Sequence, residues 1–308
     1  MVADAGKKTT RRAADNSSTA FTYARHSVPH VQHSERNEDA LLVDEKHGLA
    51  AVFDGVGSNQ GQIASRLAVR TLRSRWRHVL DALVIDEQLP CLSCEQLEIS
   101  SVIQQLISEV NQEIILEGDR LAGKGTRPQA RPATTMALIA LCAQTGQQSY
   151  TMTYAHAGDS RIYLLRETEH LLRLTEDDGY FSLLLREGAL TPADIIRIDQ
   201  ALTVDQLTHI ERSYFDKRNG ITQALGDKDL ALHLDQIQIF PGDRVLICSD
   251  GIHDNLIDEE IETIMRSATR TRVAYKLVMK AIQRSLENGG SLRAKNDDMS
   301  AIVISCHR

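Results

Sequence analysis

The sequence has no apolar run of the ~18 residues that a membrane-spanning helix needs. Its N-terminal stretch, MVADAGKKTTRRAADNSSTA, has basic residues but not the apolar core of a secretory signal. Small and polar residues in residues 1–20 predict a disordered tail instead. These absences exclude membrane-spanning and fibrous proteins and lead us to expect no membrane partner.

Cysteine is scarce, and its odd number argues against a disulfide framework. The five residues are Cys91, Cys94, Cys142, Cys248 and Cys306. Three of them stand in apolar runs, where cysteine behaves as a small hydrophobic residue. Cys91 and Cys94 form a CLSC pair, and no second pair completes a zinc site. The pattern predicts reduced thiols, no structural metal and a cytoplasmic location.

A positive charge excess is also missing, since 35 Lys and Arg face 42 Asp and Glu, for a net charge of −7. This balance argues against a nucleic-acid partner, because nucleic-acid binders usually carry a basic surface. Apolar residues make up 42% and charged residues 25% of the chain, as in ordinary folded proteins. With 308 residues the chain can bury a large core without disulfides.

The order of predicted elements favours an α+β fold. Helical periodicity covers 61–83, about 94–121, 181–188, parts of 191–215 and two segments within 259–286. Strand patterns cover 41–43, 49–53, a hairpin in 134–158 that turns at 144–146, a strand pair in 160–175, 243–251 and 299–306. Helices come in pairs between strands joined by short turns, which indicates antiparallel sheets covered by helices. We expect one domain over 21–308, with an irregular first segment and a lobe at about 178–220.

Acidic residues recur where the apolar strands begin or end. They are Glu38, Asp39, Asp54, Asp159, Asp250, Asp297 and Asp298. Each Asp-Gly pair alone is explained by a turn. If the strands lie side by side, however, up to six carboxylates share one edge, and such a cluster needs cations to stay ionised. Oxygen ligands without His or Cys pairs select Mg²⁺ or Mn²⁺, and two such ions suit in-line attack on phosphorus.

Other catalytic patterns are incomplete. The segment DGVGSNQGQ has Gln60 where a dinucleotide-binding loop needs its third glycine. The segment GDRLAGKG has Gly125 where a Walker A loop needs Ser or Thr. Ser249 and His253 lie close in sequence but lack the GxSxG elbow of a serine hydrolase. These segments are interpreted as ordinary loops and scattered polar residues.

A family resemblance emerges from the motifs RNEDA, VFDGVG, TT, AGDSRIY, LT-x-D, RNGITQALG, CSDG and DDMS, in that order. They resemble those of the bacterial-type members of the metal-dependent type 2C protein Ser/Thr phosphatases, the PPM family. The resemblance extends from Arg36 to about Ile304. It implies a four-layer αββα sandwich, in which helices flank two antiparallel sheets.

The resemblance also implies a metal site and a role for each of its residues. The site would consist of Glu38, Asp39, Asp54, Gly55, Asp159, Asp250 and Asp297. Asp54 would bridge two ions, with the Gly55 carbonyl on one of them and Asp250 and Asp297 on the other. Glu38 and Asp39 would contribute directly or through water, and Asp159 would hold a possible third ion. Asp54 and Asp250 would act in catalysis through a metal-bridging water that attacks phosphorus.

The sequence departs from the family pattern around the phosphate. Ser34 stands where many members have a phosphate-binding arginine. Arg36 or His33 is the available replacement, and we favour Arg36. Val56 stands where eukaryotic members have histidine, and Asp178 replaces the histidine that follows LT-x-D. These departures concern substrate handling more than metal binding.

The sequence therefore predicts a cytoplasmic, Mg²⁺- or Mn²⁺-dependent phosphatase. Its substrates would be phosphoserine and phosphothreonine in phosphoproteins that a Ser/Thr kinase modifies. Two alternatives stay open. One is a regulatory binding module on the same fold with weak or lost catalysis. The other is a hydrolase of small phosphate esters.

Overall fold

The computed structural model describes residues 20–307 except 58–59, 84–88, 90, 94–96, 124–130, 145–147 and 288–290. The strands are β1 (Phe21–Val28), β2 (Ala40–Asp44), β3 (Leu49–Phe53), β4 (Gly55–Val56), β5 (Leu92–Ser93), β6 (Ala133–Thr134), β7 (Met136–Ala143), β8 (Tyr150–Ala157), β9 (Arg161–Leu165), β10 (Leu172–Arg173), β11 (His233–Ile239), β12 (Arg244–Cys248) and β13 (Met299–Cys306). The helices are α1 (Gly61–Asp81), α2 (Ile99–Ala122), α3 (Tyr180–Arg186), α4 (Pro192–Asp199), α5 (His209–Phe215), α6 (Asp250–His253), α7 (Asp258–Ser267) and α8 (Val273–Ser285).

The strands form two main sheets. The first has the order β1-β13-β12-β9-β10, with antiparallel neighbours throughout. The second has the order β11-β8-β7-β3-β2, also antiparallel, and the short β5 joins β7 in parallel. Strands β4 and β6 form a small separate ladder beside the second sheet's end.

Alternate residues of the central strands face two different apolar layers. In β3, Leu49, Ala51 and Phe53 pack against α1 and α2, whereas Ala50 and Val52 pack between the sheets. Strand β12 behaves likewise, with one face on α7 and α8 and the other between the sheets. Burial on both faces explains why these strands appear as continuous apolar runs. The layers are helices, sheet, sheet and helices, and the predicted αββα sandwich is confirmed.

Two of the long strands were not predicted. The segment expected to be irregular contains β1, which pairs with β13 from Phe21 opposite Cys306 to Val28 opposite Met299. Strand β11, with the sequence HLDQIQI, also escaped the pattern. Both are edge strands with a single neighbour, so most of their side chains are partly exposed and the sequence need not be apolar. Helix α2 begins at Ile99, later than expected.

Helices α3, α4 and α5 surround a small apolar cluster of their own, made of Phe181, Leu184, Ile198 and Phe215. A buried ion pair joins this part of the chain to the first sheet. The buried guanidinium of Arg161, on β9, lies 3.1 Å from the Asp199 carboxylate at the end of α4. The predicted tail covers residues 1–20, of which 1–19 fall outside the described residues. No helix in the described ranges is long and apolar enough to cross a membrane.

Candidate active site

One end of the sandwich collects the acidic residues that the sequence places at strand ends. Asp39 directly precedes β2 and Asp54 directly follows β3, and these strands pair at Ala40 opposite Phe53. In the other sheet, Cys248 of β12 pairs with Ala301 of β13. Asp250 follows β12 and Asp297 precedes β13 at that same end, while Asp159 follows β8.

The electrostatics show that these acids lie close together. Burial raises the pKa of Asp54 well above its usual range, and Asp250, Asp39, Asp297 and Asp159 raise it further. Burial is also the main cause that raises the pKa of Asp39 to about 8, with added repulsion from acidic neighbours. Asp159 and Asp250 have pKa values raised by burial too, and Asp250 raises that of Asp159. The structure thus brings together five of the six aspartates that the sequence singles out.

Several oxygens of this cluster lack a donor. Oδ1 of Asp39, Oδ1 of Asp250 and Oε1 of Glu38 are buried and receive no hydrogen bond from the described residues. A buried carboxylate oxygen without a partner is costly, and a hard divalent cation is the group that satisfies it. The donor chemistry therefore fits Mg²⁺ or Mn²⁺. Among the described residues, no three acidic, His or Cys side chains are already arranged around one point as metal ligands.

A lysine that the sequence analysis missed lies inside the acidic cluster. Nζ of Lys295 contacts Asp250 Oδ2, and it lies 2.9 Å from Asp254 Oδ2 and 3.2 Å from Asp297 Oδ2. Burial lowers the pKa of Lys295, but these carboxylates outweigh burial and hold it well above its usual range. The sequence feature that could have revealed Lys295 is its position two residues before Asp297, at the start of the segment KNDD. The chain supplies one positive charge to its own acidic site.

Glu38 lies at the edge of the cluster, fixed through its backbone. Its amide donates to Asp298 Oδ2 at 2.6 Å, and Asp298 Oδ1 accepts from the His30 amide at 2.9 Å. Asp298 thus holds the loop that carries Glu38. Arg36 Nη2 lies 3.5 Å from Glu38 Oε2, and its side chain is 37% exposed. The residue favoured for the phosphate is therefore at the rim of the site, while the side chain of His33 lies outside the described residues.

The two Asp-Gly pairs are not turns, which corrects the simplest interpretation of each. Gly55 lies in β4 and Gly251 in α6, and neither has a positive φ. A Cβ on Gly55 would lie 2.4 Å from the carbonyl carbon of Gly61. A Cβ on Gly251 would lie 2.0 Å from the carbonyl oxygen of Asp298. Glycine is needed at both positions because another backbone segment approaches closely.

Ser249 and His253, considered above for a hydrolase, hold the acidic residues in place. The Ser249 hydroxyl donates to Asp39 Oδ2 at 2.8 Å and accepts from the Ser300 amide at 3.0 Å. His253 Nε2 lies 3.0 Å from the carbonyl oxygen of Asp159. Asp178, which departs from the family pattern, accepts from the Gly158 amide at 2.9 Å and thereby holds the loop before Asp159.

Comparison with known sequences agrees with this geometry. A sequence model of the family described as Protein phosphatase 2C matches residues 28–288. The "Serine/threonine phosphatase stp" of Listeria innocua is 28% identical over 240 residues, which cover 76% of this chain and 78% of that protein. A "Putative protein phosphatase 2C-type" of Streptococcus pyogenes is 28% identical over 245 residues, covering 77% of this chain and 81% of that one.

Solved structures show the same fold. The crystal structure of the Mycobacterium tuberculosis serine/threonine phosphatase PstP/Ppp has a TM-score of 0.69 at 22% identity, covering 94% of this chain and 99% of that chain. The catalytic domain of PstP in complex with two manganese ions has a TM-score of 0.66 at 22% identity, with the same coverage. Since the family model spans most of the folded chain, this protein belongs to the protein phosphatase 2C family.

Proposed function

We propose that this protein is a divalent-metal-dependent phosphatase that removes phosphate from phosphoserine and phosphothreonine in phosphoproteins. The observation that carries the proposal is the convergence of the buried Asp39, Asp54, Asp159 and Asp250 with the partly exposed Asp297 at one end of the sandwich, where Asp39 and Asp250 have carboxylate oxygens that lack donors among the described residues. Membership of the protein phosphatase 2C family supports the same activity. The relatives named above are phosphatases, and none favours the regulatory binding module.

Two ions would be held by the predicted residues. Asp54, the Gly55 carbonyl, Asp250 and Asp297 would hold them, and Glu38 and Asp39 would contribute directly or through water. Asp159 would hold a weaker third ion. When bound, such ions lower the pKa of water and neutralise charge on phosphoryl oxygens. The all-oxygen donor set suits either Mg²⁺ or Mn²⁺.

The chain's own residues prepare this site. The backbone of Asp54 is fixed because its carbonyl accepts from the Thr135 amide at 2.8 Å and from the Thr134 hydroxyl at 2.7 Å. Ser249 orients Asp39 through its hydroxyl proton. That hydroxyl is engaged with Asp39 and Ser300, which favours water over serine as the nucleophile. Arg36, at the rim, would orient the phosphate.

The substrates we propose are proteins modified by a Ser/Thr kinase, with no nucleic acid or membrane as partner. A cytoplasmic location is supported by the thiols. Cys91, Cys142, Cys248 and Cys306 are buried thiols that form no disulfide with one another, as in a chain that folds in a reducing compartment.

The test is phosphate release from a phosphothreonine peptide with Mn²⁺, with and without EDTA. We expect metal-dependent turnover that Asp54→Asn and Asp250→Asn each reduce by about a hundred- to a thousandfold, the loss typical of one catalytic electrostatic group. The matched control is Asp243→Asn, because Asp243 is also a buried aspartate but accepts from the Phe240 amide in the turn between β11 and β12. Wild-type turnover in Asp54→Asn, or no turnover by the wild type with Mn²⁺, would contradict the proposal.

A further inference from the structure

Helix α1 carries a row of arginines on one exposed face. Arg66, Arg70, Arg73 and Arg77 follow one another at spacings of four, three and four residues, which places them along one side of a helix. All four are exposed. From Arg66 to Arg77 the row is roughly 16 Å long at the helical rise of 1.5 Å per residue. A protein with a net charge of −7 thus concentrates positive charge in one place.

These arginines line an open groove of about 660 Å³ between α1 and Ala40 at the start of β2. Asp81 is the acidic residue that lines the groove, at the C-terminal end of α1. Arg75 also lines the groove, but it differs from the row because it forms an ion pair with Glu109 of α2 at 2.9 Å. The four arginines of the row have no carboxylate within ion-pair distance in the described ranges.

The groove starts beside the acidic cluster. Ala40 directly follows Asp39 in the chain and lines the groove. At its N-terminus α1 packs on the same loop, since Gly61 lies against Gly55 and Gln62 Nε2 donates to the Asn37 carbonyl at 2.9 Å. A substrate whose phosphorylated residue occupies the proposed active site can therefore continue along the arginine row.

Like charges three or four residues apart on a helix repel one another, so the row is favourable only with an anion in place. Guanidinium groups bind carboxylates through paired hydrogen bonds. We propose that this groove docks an acidic, extended segment of the phosphoprotein substrate, outside the phosphorylated residue itself. About five extended residues match the length of the row at roughly 3.3 Å per residue. The inference rests on the proposed phosphatase activity and adds a preference for substrates with an Asp- and Glu-rich flank.

The experiment compares kcat/KM for two pairs of phosphothreonine peptides, with a block of five Glu or five Gln on either side of the phosphorylated residue. The variant is the charge reversal Arg70→Glu/Arg73→Glu. Its control is Arg270→Glu/Lys276→Glu, which reverses two exposed charges near the start of α8. We expect the wild type and the control to prefer a Glu peptide by about tenfold, and the groove variant to lose this preference. Salt at 0.5 M should also remove it, because screening then acts within a few ångströms.

Activity on a small aryl phosphate, which is too short to reach the groove, tests the phosphatase activity separately from the docking inference. Hydrolysis of p-nitrophenyl phosphate should be the same in the groove variant and the wild type, since the groove lies outside the reacting centre. No hydrolysis of any substrate by the wild type with Mn²⁺ would contradict the phosphatase itself. The docking inference would be overturned by an unchanged Glu preference in Arg70→Glu/Arg73→Glu, or by a wild type that binds single-stranded nucleic acid at the groove and shows no Glu preference.

Discussion

Nζ of Lys295 lies 2.9 Å from Oδ2 of the buried Asp254, and this ion pair lies directly beside the proposed metal site. The same ammonium contacts Asp250 and lies 3.2 Å from Asp297. It therefore neutralises part of the charge that the clustered acids would otherwise leave uncompensated. A metal ion that binds Asp250 and Asp297 competes with this ammonium for the same two carboxylates.

Replacing Lys295 should lower the stability of the protein but raise its affinity for Mn²⁺. With Lys295→Met and EDTA, we expect the free energy of unfolding to fall by about 3–5 kcal/mol, because a buried ion pair loses one partner. The affinity for Mn²⁺ should rise, since the competing cation is gone. Urea unfolding and calorimetry measure these quantities. Lys276→Met, at an exposed site on α8, is the control. Unchanged stability and unchanged Mn²⁺ affinity would show that the Lys295 contacts carry no net energy.

Asp54 should limit stability when no metal is present. Its pKa is raised by burial and by four neighbouring aspartates, so its charge is unfavourable in the folded protein. We expect Asp54→Asn to make the protein more stable in EDTA by about 1–2 kcal/mol, while it loses phosphatase activity. Thermal unfolding in EDTA and in Mn²⁺ provides the comparison. The opposite order in EDTA, with Asp54→Asn less stable than the wild type, would mean that the carboxylate has a structural role.

The lobe formed by α3, α4 and α5 should depend on a buried ion pair. Arg161 lies 3.1 Å from Asp199 and also donates to Asp177 at 2.9 Å. Burial raises the pKa of Asp199, but the positive charge of Arg161 is a main cause that keeps this pKa below its usual range. We expect Arg161→Met to reduce the free energy of unfolding by about 3–5 kcal/mol, because Asp177 and Asp199 lose their buried guanidinium partner and Arg173, 3.6 Å away, is left to pair with Asp199.

The control for this effect is an ion pair at the surface of the same lobe. Arg197 and Glu211 join α4 to α5, with the Arg197 side chain 49% exposed. Arg197→Met should cost less than about 1 kcal/mol, as exposed pairs do. Urea denaturation of both variants gives the comparison. Equal losses in the two variants would contradict the assignment of Arg161 as the anchor of the lobe.

The parts of the site that were predictable from sequence are those marked by local pattern. Asp54 and Asp250 each follow an apolar strand, and the pattern therefore pointed to them individually. Their convergence required β3 and β12, which belong to different sheets, to finish at the same end of the sandwich, and only the family resemblance implied this stacking of the sheets. Lys295 stands two residues before Asp297, but its role also depends on Asp250 and Asp254, which lie far from it in the chain, so the sequence alone did not reveal it.

Other structural features were not predicted because their residues are also typical of surface positions, loops or turns. Arg161 and Asp199 are residue types that usually lie at the surface, and 38 positions separate them. Their burial together cannot be inferred from periodicity. The strands β1 and β11 lack apolar runs since they lie at sheet edges. Gly55 and Gly251 follow aspartate as turn glycines do, yet close backbone approach is what requires them.

His156 gives the protein a predicted pH dependence below neutrality. Its ring stacks on that of His233, with centroids 4.6 Å apart, and burial followed by this neighbour lowers the pKa of His156 to about 4. An unfolded histidine titrates near 6.5, so between pH 6.5 and 4 the unfolded chain binds a proton that the folded protein does not. Stability should therefore fall as the pH falls through this window, by at most about 3 kcal/mol.

The variant His156→Gln isolates this contribution, because glutamine does not titrate. We expect urea unfolding of the wild type to lose more free energy between pH 6.5 and 4 than the variant loses. His209→Gln is the control, since His209 is exposed at the start of α5 and its substitution should leave the wild-type slope unchanged. Parallel curves for the wild type and His156→Gln would contradict the prediction, because they would mean that folding leaves the proton affinity of His156 as it is in the unfolded chain.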